Sequence, residues 1–148
     1  MITHSIREDI LKAEYRLEKH DEGGFFSEVY TSEAGMNGRA LAGSIYYLLG
    51  AGESSRFHQI DCDEIWFYHE GCGMMITVLN PDGGKEQYLL GKNTEKGERA
   101  MVTVKKGSIF AARNLDENGY TFVSCMTVPK FSLDGSRIFS EDELLNLL

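Results

Sequence analysis

Short stretches rich in β-branched and aromatic residues occupy most of this 148-residue chain, and turn-forming residues separate them. The stretches lie at residues 44–49, 64–68, 74–79, 100–104 and 120–128. The turns lie at residues 50–53, 81–84, 106–107 and 117–119, and each contains glycine. β-Branched and aromatic side chains favour strands, and glycine favours the tight connections between them. Short strands at this spacing predict an antiparallel sandwich or barrel, without a linker or an internal repeat.

The N-terminal segment predicts a helix. Ser5 and Glu8 have the spacing of a capping box, in which the hydroxyl and the carboxylate each bind a free backbone N–H. Apolar residues then recur at helical intervals, at Ile6, Ile10, Ala13 and Leu17. We expect Gly23 and Gly24 to end this helix, which places His20 near its carbonyl end without a functional role.

The C-terminal segment predicts a second, short helix. Ser140 and Glu143 repeat the capping-box spacing ahead of a leucine-rich run at residues 144–148. A chain of 148 residues is long enough for one domain with a buried core and too short for two ordinary ones. The predicted architecture is therefore a single all-β domain over residues 1–148 with a helix at each end.

Charge and composition exclude several classes of function. The chain carries 23 acidic and 15 basic residues, a net charge of −8, whereas nucleic acids and acidic membranes require a basic surface. No apolar run approaches the roughly 18 residues of a membrane span, and the charged N-terminus lacks the apolar core of a signal peptide. We therefore expect no nucleic-acid partner, no membrane and a cytoplasmic location. The three cysteines lack C-x-x-C spacing and are expected to be reduced thiols.

A histidine and a glutamate lie at defined positions between two glycines, in the stretch from Gly52 to Gly71. His58 follows Gly52 after five residues, and Glu64 lies six residues further on. This spacing resembles the first conserved motif of the cupins, in which two histidines and a glutamate supply three of the four ligands of metal-binding members. Ile60 takes the place of the second histidine here.

The second cupin motif is also partly matched. Gly107 and Asn114 resemble its glycine and its asparagine, whereas Lys105 stands where proline is usual. Phe110 stands where the fourth metal ligand is usual, and the upstream glycine, Gly97, is two residues further away than the pattern requires. The resemblance therefore implies a cupin frame in which two ligand positions hold apolar side chains.

The resemblance extends over residues 6–139 and is most specific to cupin family 5, also called DUF985. Besides the two motifs, the segments that carry it are residues 26–32, 44–49, 63–66 and 107–112. It implies a cupin double-stranded β-helix, a jelly-roll barrel, with an open cavity and a homodimeric assembly. The second-motif histidine is commonly absent from this subfamily, so Phe110 is a further step away from the metal pattern.

His58 and Glu64 admit three interpretations. Imidazole nitrogen and carboxylate oxygen are ligands for divalent transition metals, so the two residues could hold one weakly. They could instead form a hydrogen-bonded pair in a polar pocket, or act as an acid–base couple, since histidine titrates near neutrality. A catalytic metal site needs about three protein ligands. We therefore expect no cofactor, with weak binding of a divalent metal by His58 and Glu64 as the alternative.

Aromatic residues near the first motif are the predicted walls of a small-molecule pocket. Strand alternation places Glu64, Trp66 and Tyr68 on one face of their strand, the face that the motif directs toward the cavity. The predicted ligand-binding residues are Trp66, Tyr68, Phe110 and Arg56. The predicted catalytic residues are His58, Glu64 and Tyr46.

Two classes of function fit these residues. The first is a metal-independent pocket for a carbohydrate-like or nucleotide-like ligand, either as a binding module or with isomerase or epimerase chemistry, an analogy that rests on fold. The second is a metal-dependent cupin enzyme, an oxygenase or an isomerase, that uses His58 and Glu64. Elemental analysis of the purified protein separates the two classes.

Overall fold

The computed structural model describes residues 5–80 and 82–147, and β-strands dominate it. The strands are β1 Glu18–Lys19, β2 Phe25–Thr31, β3 Gly35–Met36, β4 Arg39–Ala40, β5 Gly43–Leu49, β6 Ser54–Ile60, β7 Asp63–Gly71, β8 Met74–Leu79, β9 Lys85–Leu90, β10 Met101–Val104, β11 Ile109–Asn114, β12 Thr121–Val128 and β13 Ser136–Ile138. The α-helices are α1 Ile6–Glu14 and α2 Glu141–Leu145, and short 3-10 helices span Thr94–Lys96 and Leu133–Gly135. Pro81 of a predicted turn and Leu148 of the predicted C-terminal helix lie outside the described ranges.

Two antiparallel sheets face each other across a shared core. The first has the strand order β1-β2-β5-β12-β7-β10, and the second has the order β13-β6-β11-β8-β9. Buried side chains from both sheets form one cluster, to which β7 contributes Trp66, β8 contributes Ile76 and β11 contributes Phe110. The sheets do not close into a continuous barrel. The arrangement confirms the predicted all-β jelly roll with a helix at each end.

Both predicted capping boxes are present. In α1, the backbone N–H of Glu8 donates to Ser5 Oγ over 3.1 Å, and the N–H of Ser5 donates to Glu8 Oε2 over 3.0 Å. Ser140 and Glu143 form the same reciprocal pair at the start of α2. Among the described residues, neither helix has the length and apolar character needed to cross a membrane.

The boundaries and the buried face of α1 differ from the prediction. The helix ends at Glu14, because Arg16 adopts a left-handed φ of 53° and the chain turns into β1 instead of continuing to the glycine pair. Ile6 and Ile10 are 79% and 44% exposed, whereas Leu11 is buried. Leu11 packs against Leu48 and Phe122 on the outer face of the first sheet. The predicted apolar stripe was therefore wrong, because the helix buries the face that carries Leu11 and not the face that carries Ile6 and Ile10.

The three cysteines, all within the described ranges, are free thiols. Cys62 and Cys125 are buried, and Cys72 is half-buried. The expectation that they form no disulfide agrees with this arrangement.

Candidate functional site

A cavity of about 650 Å³ opens into the jelly roll. Its walls come from both sheets and from residues 18–22, the segment that leads into β2. The inner polar lining consists of His20, Glu22, His58 and Glu64, and the aromatic lining consists of Phe26, Tyr47, Trp66 and Phe131. The fold thus gathers ionisable groups from distant parts of the chain against aromatic rings.

His58 is buried, and both of its ring nitrogens face oxygen atoms. Nδ1 lies 2.7 Å from the backbone oxygen of Arg56. Nε2 lies 2.9 Å from the Oε2 atom of Glu22. Carbonyl and carboxylate oxygens accept hydrogen bonds, so each ring nitrogen is placed to carry a hydrogen. The geometry therefore favours an imidazolium at His58, paired with a carboxylate at Glu22.

A second histidine flanks Glu22. The backbone N–H of Glu22 donates to Nδ1 of His20 over 3.2 Å, which leaves the hydrogen of a neutral His20 on Nε2. That Nε2 atom lies 3.9 Å from the Oε1 atom of Glu22. His20, which we expected to have no functional role, thus lines the cavity beside the carboxylate.

The charges of this group displace both pKa values of the His58–Glu22 pair. Burial alone would raise the pKa of Glu22, but the hydrogen bond and charge of His58, with a contribution from His20, lower it below its usual range. Burial alone would lower the pKa of His58, but the hydrogen bond and charge of Glu22 raise it. Each partner therefore stabilises the charged form of the other.

The loop that carries Glu22 is held against β6 and β5 by backbone groups. The N–H of Arg56 donates to the backbone oxygen of Glu22 over 2.8 Å, and the hydroxyl of Tyr47 donates to that of Gly23 over 2.7 Å. Gly23 has a φ of 114°, and a Cβ there would lie 2.2 Å from the backbone oxygen of Ser54. The glycine allows the close approach that brings Glu22 to His58.

Glu64 is half-buried and faces the same cavity, with the indole N–H of Trp66 beside its carboxyl and no ion-pair partner among the described residues. Burial raises the pKa of Glu64 to about 8, and the charge of Glu22 adds to the shift, whereas His58 and Trp66 oppose it. The indole Nε1 of Trp66, two residues away on the same face, is buried and lacks a partner within hydrogen-bond geometry. The Trp66 N–H is therefore unsatisfied, and the Glu64 carboxyl beside it is open to the cavity.

The donor set does not fit the metal site of metal-binding cupins. Ile60 lines the cavity and Phe110 packs against His58, with 4.1 Å between the ring centroids, so neither ligand position holds a donor atom. Both nitrogens of His58 are already engaged by oxygen atoms. Within residues 5–80 and 82–147, no group of three or more histidine, cysteine, aspartate or glutamate side chains could hold a metal ion.

Only some of the predicted site residues lie at the cavity. His58, Glu64 and Trp66 line it. Phe110 does not, because it is buried behind His58, and its ring centroid lies 6.4 Å from that of Trp66. Phe110 therefore supports the cavity wall instead of contacting a ligand.

Tyr46 lies on the opposite face of β5. Its ring packs against Tyr15 and Phe122, with centroid distances of 4.6 Å and 5.4 Å, under α1. The alternation of a strand places Tyr47, not Tyr46, at the cavity. This placement contradicts the expected position of Tyr46, and we omit it from the site.

Tyr68 and Arg56 are also outside the cavity lining. The Tyr68 hydroxyl donates to the backbone oxygen of Gly71 over 2.6 Å, toward the other end of β7. Arg56 lies two residues before His58, but the register of β6 against β11 shifts between Ser55 and His58. The Arg56 side chain is therefore exposed, and only its backbone contacts the site. The sequence prediction, which placed the side chains of Tyr68 and Arg56 in the cavity as ligand-binding groups, is therefore corrected for both residues.

Glu22 was missed by the sequence analysis. It lies 36 residues before His58, in a segment that we assigned to the end of the first helix, and no motif marks it. The only available signal was the Gly23–Gly24 pair, which we interpreted as a helix end.

The family resemblance is confirmed by comparison with known proteins. A family model described as "Cupin superfamily (DUF985)" matches residues 9–139. The crystal structure of protein SO0799 from Shewanella oneidensis is similar at 38% identity and a TM-score of 0.88, covering 94% of this chain and 87% of that one. A hypothetical protein from Leishmania major is similar at 28% identity and a TM-score of 0.86, covering 94% of this chain and 90% of that one.

More distant similarity concerns the fold alone. A mutant of oxalate decarboxylase from Bacillus subtilis is 17% identical with a TM-score of 0.60, covering 82% of this chain and 29% of that one. No curated protein matches this chain. The comparisons thus establish the family and the fold, and the chemistry of the site has to be argued from its own residues.

Proposed function

The chain belongs to the DUF985 family of the cupin superfamily, and we propose that its cavity binds a small carbohydrate-like or nucleotide-like molecule without a metal. The observation that carries this proposal is the buried His58–Glu22 pair, which occupies the histidine that a metal would need. Aromatic walls beside a few polar groups are typical of pockets for small ligands. Of the two ligand types, the acidic lining favours molecules without phosphate.

We propose acid–base chemistry, an isomerisation or an epimerisation, as the reaction that this site supports. Glu22 is poised as a carboxylate and Glu64 as a carboxylic acid near neutral pH, because their pKa values are displaced in opposite directions. Glu22 would accept a proton from a carbon next to a carbonyl group of the ligand, while Glu64 gives its proton to the carbonyl oxygen. Return of the proton by Glu22 to the former carbonyl carbon, while Glu64 regains a proton from the neighbouring hydroxyl, completes an isomerisation. Delivery of a proton to the opposite face of the first carbon, with Glu64 taking back the enol proton, completes an epimerisation, and neither route changes the total number of protons.

Hydrogen exchange tests the acid–base chemistry directly. A panel of reducing sugars incubated with the protein in deuterated water should gain deuterium at the carbon next to the carbonyl. The Glu22→Gln and Glu64→Gln variants should each lose the exchange, and Glu95→Gln, an exposed carboxyl remote from the cavity, should retain it. Binding without exchange would support a pure binding module.

Metal content tests the proposal that the cavity binds its ligand without a metal. A metal on His58 and Glu64 would require His58 to release Glu22, leaving a carboxylate that is 14% exposed without its cation. We expect the purified protein to contain less than stoichiometric metal and to keep its melting temperature in chelator. Stoichiometric metal, with a melting temperature that falls in chelator, would favour the metal-dependent enzyme.

We further propose that the protein is a homodimer through the β2 edge. β1 pairs only with Phe25 and Phe26, so among the described residues the outer edge of β2 from residue 27 to 31 has no strand partner. Large apolar side chains are exposed on and near this edge, at Val29, Tyr30, Met36 and Leu41. An open edge with apolar side chains favours pairing with a second copy across a two-fold axis.

Light scattering tests the assembly. The expected mass is twice the 16.6 kDa of the chain, and Val29→Lys should return it to 16.6 kDa without loss of fold. Leu133→Lys, at an exposed leucine that lies outside β2, is the matched control and should remain dimeric. A monomer at micromolar concentration would contradict this proposal.

A further inference from the structure

The carboxyl of Glu64 has no paired cation among the described residues, although it lines the cavity. A buried carboxyl normally has a hydrogen-bond donor or a cation beside it, since desolvation otherwise disfavours its charged form. Glu64 lines the cavity with only the indole N–H of Trp66 as a neighbouring donor, outside hydrogen-bond geometry, and no cation is paired with it among the described residues, although His58 and Glu22 satisfy each other nearby. A partner for Glu64 can therefore come from a molecule that enters the cavity.

Aromatic rings surround the space that such a molecule would occupy. Tyr47 and Trp66 meet edge to face, with 6.0 Å between ring centroids and an interplanar angle of 90°. Phe26 and Phe131 complete the aromatic lining of the cavity. The faces of aromatic rings attract cations, most strongly where water is excluded. Aromatic walls together with an unpaired carboxyl are typical of sites for organic cations.

The charges of the remaining lining residues point to the same class of ligand. The lining carboxylates are Glu18, Asp21, Glu22, Glu28 and Glu64, and the lining lysines are Lys19 and Lys130. Lys130 is already paired, since its Nζ lies 2.5 Å from the Oε1 atom of Glu28. No arginine among the described residues lines the cavity, so a phosphate group would lack its usual bidentate partner.

We propose that the ligand of this cavity is a small polar molecule with an ammonium group, and that this group pairs with Glu64 beside Trp66. The inference rests on the proposed small-molecule pocket and narrows its ligand to an amine-bearing class, such as an amino sugar or an amino nucleoside. It does not rest on the proposed acid–base chemistry, because a Glu64 carboxylate paired with an ammonium group cannot also be the acid of that reaction. The hydroxyl groups of such a ligand would face the polar lining, and its ring would pack on the aromatic walls. The ammonium group would supply the cation that the Glu64 carboxyl lacks among the described residues.

Binding of an ammonium group to Glu64 has a measurable consequence for protons. The titratable groups that face Glu64 are Glu22, His58, Cys62 and Cys125. Burial raises the pKa of Cys62 to about 12 and that of Cys125 well above its usual value, so both thiols stay neutral. Since His58 and Glu22 neutralise each other, Glu64 is the group that must lose a proton when the ammonium group binds.

Matched pairs of probes test the inference. Glucosamine is compared with glucose, galactosamine with galactose, and an adenosine whose ribose carries an amine with adenosine itself. Binding is followed by the fluorescence of Trp66, the only tryptophan of the chain, and by calorimetry in buffers with different ionisation enthalpies. Each amine should bind at least about tenfold more tightly than its partner, as expected for a charged hydrogen bond.

The calorimetry should show release of about one proton per amine bound below the pKa of Glu64, about 8. Affinity should rise by up to about tenfold per pH unit in that range, until the amine itself loses its proton. Glu64→Gln should abolish both the preference for amines and the proton release. Glu95→Gln, which removes one exposed negative charge far from the cavity, should change neither.

The outcomes distinguish failure of the amine class from failure of the proposed small-molecule pocket. Equal binding of the two members of each pair would overturn the amine class and leave the small-molecule pocket in place. Preference for amines that persists in Glu64→Gln would also overturn it, since the cation would then pair elsewhere. If no probe of either kind binds, both the amine class and the carbohydrate-like or nucleotide-like pocket are wrong.

Discussion

The two ends of the jelly roll differ in how completely their buried polar side chains are hydrogen-bonded within the protein. At the end where β7 finishes, the side-chain amide of Asn114 lies 3.0 Å from the backbone oxygen of Leu49 and 3.1 Å from those of Gly50 and Gly119. The hydroxyl of Thr121 lies 2.7 Å from the Oδ1 atom of Asn114. Every polar atom of the Asn114 side chain has a protein partner, so this end is closed by hydrogen bonds.

At the end where β7 begins, the buried polar groups are only partly satisfied. Glu22 and His58 pair with each other, but the indole N–H of Trp66 has no partner within hydrogen-bond geometry, and the half-buried carboxyl of Glu64 beside it has no ion-pair partner among the described residues. An unsatisfied buried group costs free energy unless something else binds it. One end of the fold therefore pairs its polar side chains within the protein, and the other leaves some of them open to the cavity, where the proposed ligand would bind.

The largest expected effect is on stability, at the His58–Glu22 pair of the cavity end. His58→Ala should lower the free energy of unfolding by about 4 kcal/mol near neutral pH, because it leaves the Glu22 carboxylate buried without its cation. Denaturant unfolding measures this loss. The double variant Glu22→Gln/His58→Gln should lose less, since no uncompensated charge remains. A loss below about 1 kcal/mol in His58→Ala would show that the His58–Glu22 pair contributes little to the free energy of unfolding.

The closed end should respond to substitution through stability alone. Asn114→Ala should lower the free energy of unfolding by about 3 kcal/mol, because three buried carbonyl groups lose a donor. Probe binding at the cavity should be unchanged in the folded variant. Asn118→Ala, at an exposed asparagine nearby, is the matched control and should change stability by less than about 0.5 kcal/mol. Weaker binding in Asn114→Ala would mean that the two ends are coupled.

The sequence predicts the scaffold better than the site, for physical reasons. Residues 74–79 alternate apolar side chains toward a core, so the hydrophobic pattern identifies β8 with its full length. Strand β6 was missed, because its three buried residues, Ser55, His58 and Ile60, do not alternate regularly and two of them are polar. The histidine of that strand was identified through its motif spacing and not through any strand pattern.

Contacts between distant segments could not be predicted from one sequence. The pairing of His58 with Glu22 depends on how the chain leaves α1, which a left-handed Arg16 and the close approach of Gly23 to Ser54 determine. The choice between Tyr46 and Tyr47 depended on register, and a shift of one residue moves a side chain to the other face. Both failures concern the cavity, where local patterns carry the least information.

The unpaired carboxyl of the cavity end should make stability fall as pH rises. Glu64 has a pKa of about 8 in the folded protein, above the ordinary carboxyl value, so the folded state holds a proton that the unfolded state has lost. Between the two pKa values, stability should decrease by up to about 1.4 kcal/mol per pH unit. His58, whose pKa is also raised, adds to the decrease as pH rises through its folded pKa.

Unfolding measured from pH 5 to pH 9 in Glu64→Gln tests this assignment. The variant should show a flatter profile than the unmodified protein, and at the alkaline end it should be the more stable of the two. The control Glu95→Gln should follow the unmodified protein, since that carboxyl is exposed. Identical profiles in all three proteins would mean that Glu64 titrates as an ordinary surface carboxyl.

The smallest expected effect concerns Arg56, whose backbone and side chain have separable roles. Its backbone oxygen accepts from Nδ1 of His58 and its N–H donates to the backbone oxygen of Glu22, while its side chain is exposed outside the cavity. Arg56→Ala keeps both backbone contacts, so probe affinity should change by less than about twofold, as for other surface substitutions. Arg56→Pro removes the N–H that fixes Glu22, so it should weaken both probe binding and stability. A large loss of affinity in Arg56→Ala would restore the guanidinium as a ligand-binding group and place the ligand outside the described cavity.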